Sequence, residues 1–398
     1  MPTTNRNRQI YQSDAVFCGP SPATGQQFYR QAQNTGFAVR QLTRVQSATY
    51  GYNIPKTDIN QFGELANIDR VNLVSPTATL DITYISQSMI NETYLGFTVK
   101  SGGGSDSSAI TDILDGDTDE KNYFIKTSPE GVDSLGDTTY GGNVGIVSIG
   151  NGFITNYTAT ASVGNFPTCS ISVEGLNMDF QLPLGQGTPT GTINANFLPT
   201  GGIVIDNPAV LPSDGSPVTG VVPIPTFETN PNAATAGTLT LSALRPGDIT
   251  VNVYDNGTTT TVNEGGPSIG DWKIQSYNIS IPMSREPLNK LGTKFAFART
   301  ISFPITITCS IDGQIGAMQT GSVENLISGD RKFDIDIAIK HPTGGYQVNR
   351  YTIKKCTLDS QNYSSSIGAN KTCTLNFSSQ LGGPGQTGIG AFFSGRLT

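Results

Sequence analysis

Apolar residues in this 398-residue chain recur mostly at every second position, in short runs. Thr77-Ala-Thr-Leu-Asp-Ile-Thr83 and Ile305-Thr-Ile-Thr-Cys-Ser-Ile311 are the clearest cases. Such alternation predicts strands with one buried face. Pro76 and Pro304 stand at the start of these runs, where a missing N–H costs a strand least. Helical spacing is confined to two short places. Ile110, Ile113 and Leu114, and again Val323, Leu326 and Ile327, fall at i, i+3, i+4 and predict a short amphipathic helix each. Gly116 and Gly329 follow where a left-handed cap would end the helix. A β-prone run comes next in each case, Tyr123 to Lys126 and Ile335 to Lys340.

These features occur twice in the same order. Gln46-Ser47, running to Ile54-Pro55, matches Gln275-Ser276, running to Ile281-Pro282. Each continues through a polar stretch with Gly63 or Gly292 to an arginine, Arg70 or Arg299. The two short helices and their following strands form the second match. The third sets Asn156-Tyr157, Gly164 and Thr168-Cys-Ser-Ile171 against Asn362-Tyr363, Gly368 and Thr372-Cys-Thr-Leu375. Collinear matches of this kind predict a duplicated unit of strand, long loop, strand, strand, helix, strand, strand, strand. The expected fold is mainly β. It comprises two tandem antiparallel β-barrel or sandwich domains, each with one short α-helix. Expected boundaries are an N-terminal arm over 1–40, a first domain over 41–184 and a second over 271–398 with a C-terminal tail. Residues 185–270, rich in Gly, Pro and Thr, are expected to be a β-containing linker or a small inserted module. Asp248 to Tyr254 and the turn at Asn256-Gly257 lie there.

Composition narrows the function. Charged residues make up only 14% of the chain, the net charge is -7, and there are 46 Gly and 23 Pro. A monomer usually covers its surface with charge, so part of this surface is expected to meet other copies. The acidic balance argues against gripping nucleic acid through phosphates, which needs clustered Lys and Arg. It does not argue against a surface that nucleic acid slides past. No secretory signal is read in Met1 to Ser13, and no run is long enough for a membrane helix.

Cys18, Cys169, Cys309, Cys356 and Cys373 are too widely spaced for a disulfide framework or a zinc site. They read as single thiols in strands, with one Cys356–Cys373 hairpin disulfide allowed. The one histidine, His341, reads as a solvated turn residue. Asp115, Asp117 and Asp119 lack the rest of a calcium loop and read as a helix-end turn. Gly382 to Gly390 lacks a phosphate-loop lysine and reads as a flexible tail that orders on contact. Trp272 reads as core. No catalytic, cofactor-binding or metal-ligating residue is predicted, and the chain is expected not to be an enzyme.

The segment Ile281-Pro-Met-Ser-Arg285-Glu286-Pro-Leu-Asn-Lys290-Leu-Gly292, running through Arg299 to Phe303-Pro304, resembles the tail tube proteins of long-tailed bacteriophages. So does the closing pattern of Asn-Tyr, turn, Gly and strand. The resemblance covers roughly 40–182 and 270–398. It implies tube-type domains whose sheets join edge to edge between subunits into one barrel around a channel. It also implies a long loop that reaches a neighbouring subunit or ring. Family rings present six domains, so a duplicated chain implies a pseudo-hexameric trimer, stacked into a tube. Implied partners are the chain itself and other tail proteins: tape measure, baseplate, terminator and sheath. DNA would transit the lumen without specific binding, and no membrane is involved. The implied location is the virion tail, after synthesis in the host bacterial cytoplasm. Alternatives are an extracellular β-domain adhesin or carbohydrate-binding module, or another tail part such as a terminator or baseplate hub.

The candidate inter-subunit loops are the two long ones. The first carries Ile54, Pro55, Lys56, Asp58, Glu64, Asp69 and Arg70, with a net charge of -1. The second carries Ile281, Pro282, Arg285, Glu286, Lys290, Lys294 and Arg299, with a net charge of +3. Opposite loop charges are expected to help set which domain meets which. Reversing Lys290 and Lys294 to Glu should then slow ring or tube assembly at low salt, followed by light scattering. Unchanged kinetics would remove charge from the explanation.

Overall fold

The alternating runs form strands, and the strands build a mainly β structure. The structure is a computed structural model. It describes residues 14–20, 38–71, 73, 76–101, 107–114, 119–128, 134, 145–175, 177–181, 226–228, 246–255, 272–288, 291, 298–315, 331–342, 346–366 and 370–396. The helix expected at Val323 to Ile327, both Gly116 and Gly329, and the Asn256-Gly257 turn lie outside the described residues.

The first half begins with β1 (Asp14–Pro20), β2 (Ala38–Gln41), β3 (Val45–Asn53), β4 (Thr57–Ile59), β5 (Asp69–Val71) and β6 (Thr77–Ile85). Helix α1 (Ile90–Leu95), β7 (Val99–Ser101), helix α2 (Thr111–Leu114) and β8 (Lys121–Thr127) follow. β9 (Gly145–Ser162), β10 (Thr168–Gly175) and β11 (Asn177–Gln181) complete it. After β12 (Thr226–Glu228) come β13 (Ile249–Asp255), β14 (Trp272–Pro282), β15 (Arg285–Leu288), β16 (Ala298–Ile301) and β17 (Thr306–Ile315). β18 (Phe333–Lys340), β19 (Gln347–Ser364), β20 (Thr372–Gln380) and β21 (Gly390–Gly395) end the chain's described strands.

One long antiparallel sheet runs through the molecule in the order β3, β6, β10, β9, β14, β17, β20, β19. Its first four strands come from the first half and its last four from the second. β9 and β19 are each 18 residues long. The C-terminal part of each lies in the long sheet, and the N-terminal part enters a second layer. In the first half that layer runs β12, β2, β1, β8, β9, β11. In the second it runs β13, β18, β19, β21, β7. The apolar face of each layer meets the long sheet. Leu80, Ile82, Ile171, Ile279, Ile307, Ile335 and Phe377 are among the fully buried side chains between them.

Bulges interrupt the pairing at matching places. The β3–β6 register shifts between Val45 and Ser47, and the β14–β17 register shifts between Ile274 and Ser276. The glutamine skipped in each, Gln46 or Gln275, turns its amide back to a carbonyl two residues earlier, Arg44 or Lys273. Thr155 is skipped between β9 and β10, and Asp359 between β19 and β20. A bulge pins the strands on either side of it, so these marks fix which residues stand in corresponding places. They also correct one detail of the sequence comparison. Cys169 stands opposite Ala159, whereas Cys373 stands opposite Tyr363. Ala159, not Tyr157, therefore occupies the place of Tyr363, and the two Asn-Tyr pairs are two residues out of step.

Three segments enter the sheets where sequence alone suggested arms or linkers. β1 pairs along its whole length with β8. β13 pairs along its whole length with β18. The glycine-rich stretch from Gly382 is a largely exposed loop, but the chain beyond it is no loose tail: β21 is buried throughout, between β19 and β7. Helix α1 ends in a left-handed residue, Gly96 (φ 98°), whose N–H donates to the carbonyls of Glu92 and Thr93. All five cysteines are buried free thiols, so Cys356 and Cys373 are not joined. Burial pushes the thiols of Cys18, Cys169 and Cys309 up to about 12. No helix among the described residues is long and apolar enough to cross a membrane.

Candidate assembly interface

The two halves meet first through backbone. β9 pairs with β14 from Ser162 opposite Ser276 to Asn156 opposite Pro282. Two more N–H donors extend the seam, Val163 to the Gln275 carbonyl (2.9 Å) and Met283 to the Thr155 carbonyl (2.8 Å). On the core side, Tyr157, Ala159, Ile279 and Ile281 are all at most 1% exposed. The outer edges of the long sheet, β3 and the end of β19, hold the places corresponding to β14 and β9. There the core-side residues Tyr50 (38%), Tyr52 (40%) and Tyr363 (42%) are exposed.

The second contact is made by the long loops. The loop after β14 folds into the β15–β16 hairpin and lies on the first half. Arg285 donates both terminal nitrogens to Asp119, each at 2.6 Å, and its Nε to the Ile154 carbonyl. Its guanidinium also stacks 5.2 Å from the Phe153 ring. Arg299 pairs with Glu174. The side chains of Arg285 and Arg299 are 0% and 3% exposed. Both arginines, expected at a neighbouring copy, are thus engaged inside the chain. The planar fork of Arg285 on Asp119 fixes angle as well as distance.

The loop after β3 forms the corresponding β4–β5 hairpin, and it stands in the open. Arg70 pairs with Asp58 across the hairpin, and the two side chains are 59% and 42% exposed. That partner holds the Asp58 carboxyl below the usual carboxylate range. Ile54, Lys56, Glu64 and Asp69 are exposed, and Pro55 is half-buried. Phe62 and Leu65 at the tip are fully exposed. Of the other sequence candidates, Ile281 is core, Pro282 and Glu286 are exposed, and Lys290 and Lys294 lie outside the described residues.

A third contact was not legible in the sequence. Glu92 on α1 is completely buried and accepts hydrogen bonds from Tyr84 (2.8 Å) and Tyr157 (3.1 Å). The Tyr157 hydroxyl also meets that of Tyr351, from the second half, at 3.2 Å. Rings of Phe97, Tyr157, Tyr351 and Phe393 pack around this group at 4.9–5.5 Å. Burial pushes the Glu92 carboxyl up, against the lowering effect of the tyrosine hydroxyls. Its second oxygen finds no protein partner among the described residues. No helix is read over residues 90–95 in the sequence, where Glu92 shows only as one acid beside Ile90, and acids usually face water.

The outer face of the long sheet is mostly polar, although Ile85 (opposite Thr168), Pro282 (opposite Asn156) and the basic Lys273 (opposite Gln314) also lie on it. β6 shows Thr79, Asp81 and Thr83; β10 shows Ser170, Ser172 and Glu174; β17 shows Thr308, Ser310 and Asp312. β20, β9, β14 and β19 add Thr374, Asn376, Thr158, Thr160, Asn278, Ser280, Ser360 and Asn362. Hydroxyls tie down the carboxylates: Ser172 donates to Asp81 (2.6 Å), and Ser276 and Thr374 to Asp312. Elsewhere, His341 stacks on Tyr346 at 4.8 Å in a turn. Among the described residues no cluster of His, Cys, Asp and Glu could hold a metal ion.

No protein-family model and no curated protein matches this sequence. Solved structures do. A chain of the anti-feeding prophage baseplate is 9% identical, over 32% of this chain and 86% of that one, at a TM-score of 0.25. A chain of the SPP1 tail tube is 9% identical, over 39% and 81%, at a TM-score of 0.26. A chain of the native gene transfer agent virion is 12% identical, over 38% and 98%, at a TM-score of 0.22. The chain is thus similar to components of phage-type tails and particles.

The unequal burial of the arginines gives a first prediction. Arg285→Ala leaves Asp119 without its partner and should lower stability by about 3 kcal/mol. Arg70→Ala, measured by the same denaturant titration on the unassembled chain, should leave stability unchanged. The second concerns Glu92. A buried acid with a raised pKa is most favourable when protonated. Its contribution is complete below the ordinary value of 4.5 and is lost as pH rises through the raised one. Glu92→Gln should therefore melt higher than the parent protein at neutral pH, with the gap closing as pH falls toward 4.5. A gap independent of pH would show that Glu92 is not the titrating group.

Proposed function

We propose that this chain is a virion structural protein, built as two tube-type domains in tandem, that assembles head to tail into the rings of a phage tail tube. The observation that carries this reading is the long sheet. Its central seam joins two strands, and strands in the corresponding places form its two open edges. An open edge presents unpaired N–H and C=O groups and is a liability for a monomer. Repeating one head-to-tail contact about an axis closes both open edges of the long sheet. Three copies would then supply six domains to a closed ring, and rings would stack with other tail proteins at the ends of the tube.

The outer face of the long sheet supports a channel role. Closing the sheet turns one face toward the axis. The face opposite the core bears Ser, Thr, Asn and a few carboxylates. Such a lining repels phosphates weakly and, among the described residues named and apart from Lys273 at one end of β14, offers DNA little to hold, so a genome would pass with little sticking. No catalytic role is assigned. Negative-stain microscopy of the purified protein tests the reading. It predicts rings or tubes with a central channel. Dispersed monomers across a wide range of salt and protein concentration would contradict it.

A further inference from the structure

We infer that the contact between copies repeats the internal seam in register, with β3 of one copy lying antiparallel to the end of β19 in the next so that Tyr50 faces Tyr363. This rests on the ring reading above and adds to it a specific alignment. The matching bulges set that alignment. Gln46 corresponds to Gln275, and Thr155 corresponds to Asp359. At the seam Asn278 faces Thr160, Ile279 faces Ala159 and Ser280 faces Thr158. Transferred to the edges, Thr49 faces Ser364, Tyr50 faces Tyr363 and Gly51 faces Asn362.

Side-chain exposure agrees with this transfer. Ile279 and Ala159 are sealed at the seam, whereas Tyr50 and Tyr363 are 38% and 42% exposed at the edges. A large and a small residue meet inside the chain. Two aromatic rings would meet between chains, where directly opposed aromatic pairs are among the favourable cross-strand partners. A slip of one residue would turn Tyr50 to the polar face, and a slip of two would set it against Gln361 or Ser365.

The inter-copy contact also differs in charge. Asp119 lies two residues before the first paired residue of β8, and Arg331 holds that place before β18. Glu174 on β10 corresponds to Ser378 on β20. Arg331 and Ser378 therefore stand in the second half where the first has the acids that hold Arg285 and Arg299. Arg70 is matched instead by Asp58 on its own hairpin. The contact between copies thus depends on strand pairing and aromatic burial, without the Asp119 and Glu174 pairs that secure the internal seam.

Disulfide trapping in the full-length protein tests the register. Thr49 and Ser364 lie on the polar face, away from the five buried native thiols. The double variant Thr49→Cys/Ser364→Cys should form a ladder of linked chains under mild oxidation, ending in a covalently closed species. The register-shifted pair Thr49→Cys/Asn362→Cys should link about tenfold more slowly, because only aligned thiols gain from proximity. Circular dichroism of each variant checks that it is folded. If rings are seen but the shifted pair links as fast, the register is wrong while the ring reading stands. If Thr49→Cys alone links chains in pairs, two β3 edges meet each other and the head-to-tail contact is overturned. Neither rings nor links from either pair would overturn both.

Discussion

The backbone pairing of β9 with β14 is the contact on which the rest of the molecule depends. It turns two four-stranded sets into one continuous sheet. Both strands are internal to the sheet, so their core-side residues are buried on every side. The same pairing leaves β3 and the end of β19 as the edges. Because strand polarity is fixed along the sheet, those two edges run in the sense that lets one copy add to the next.

Side chains make the seam specific. Backbone hydrogen bonds alone would tolerate slippage by two residues. Arg285 and Arg299 remove that freedom, since each must reach a particular carboxylate on the first half. The buried group around Glu92 ties α1, β6, β9 and β19 together through hydroxyls of Tyr84, Tyr157 and Tyr351. β7 adds a further link by pairing parallel with β21. A buried acid is costly in an apolar core, and its hydroxyl partners recover only part of that cost. Its position where both halves meet makes it a determinant of geometry more than of stability.

Much of the β architecture was legible in the sequence. Alternation located β6, β10, β17 and β20, because each has one buried face and the period is undisturbed. The paired Gln-Ser sites proved to be bulges, a local feature that sequence shows only as a shared dipeptide. What could not be seen was long-range. β13 looks like part of a Thr-rich linker until β18 is beside it. β21 follows a glycine-rich stretch, and its burial comes from distant segments: it pairs with β19 and β7, and Phe393 packs on Phe97 and Tyr157. The two arginines were visible, yet their carboxylate partners lie more than a hundred residues earlier in the chain. The Asn-Tyr match misled for a simple reason: identical dipeptides two residues apart keep the same strand face, so alternation could not reject the shift.

The contrast between seam and edges makes amide hydrogen exchange the most direct test of the account. Exchange would be measured on the dispersed chain and on the assembled form. Outward-facing amides of Tyr50 to Asn53 and Ser360 to Ser364 should exchange quickly in the dispersed chain. On assembly they should become as protected as Asn156 to Thr160 and Asn278 to Ile281, which should be slow in both states. If β3 and the end of β19 exchange as fast after assembly as before, the edges do not pair and the central claim fails.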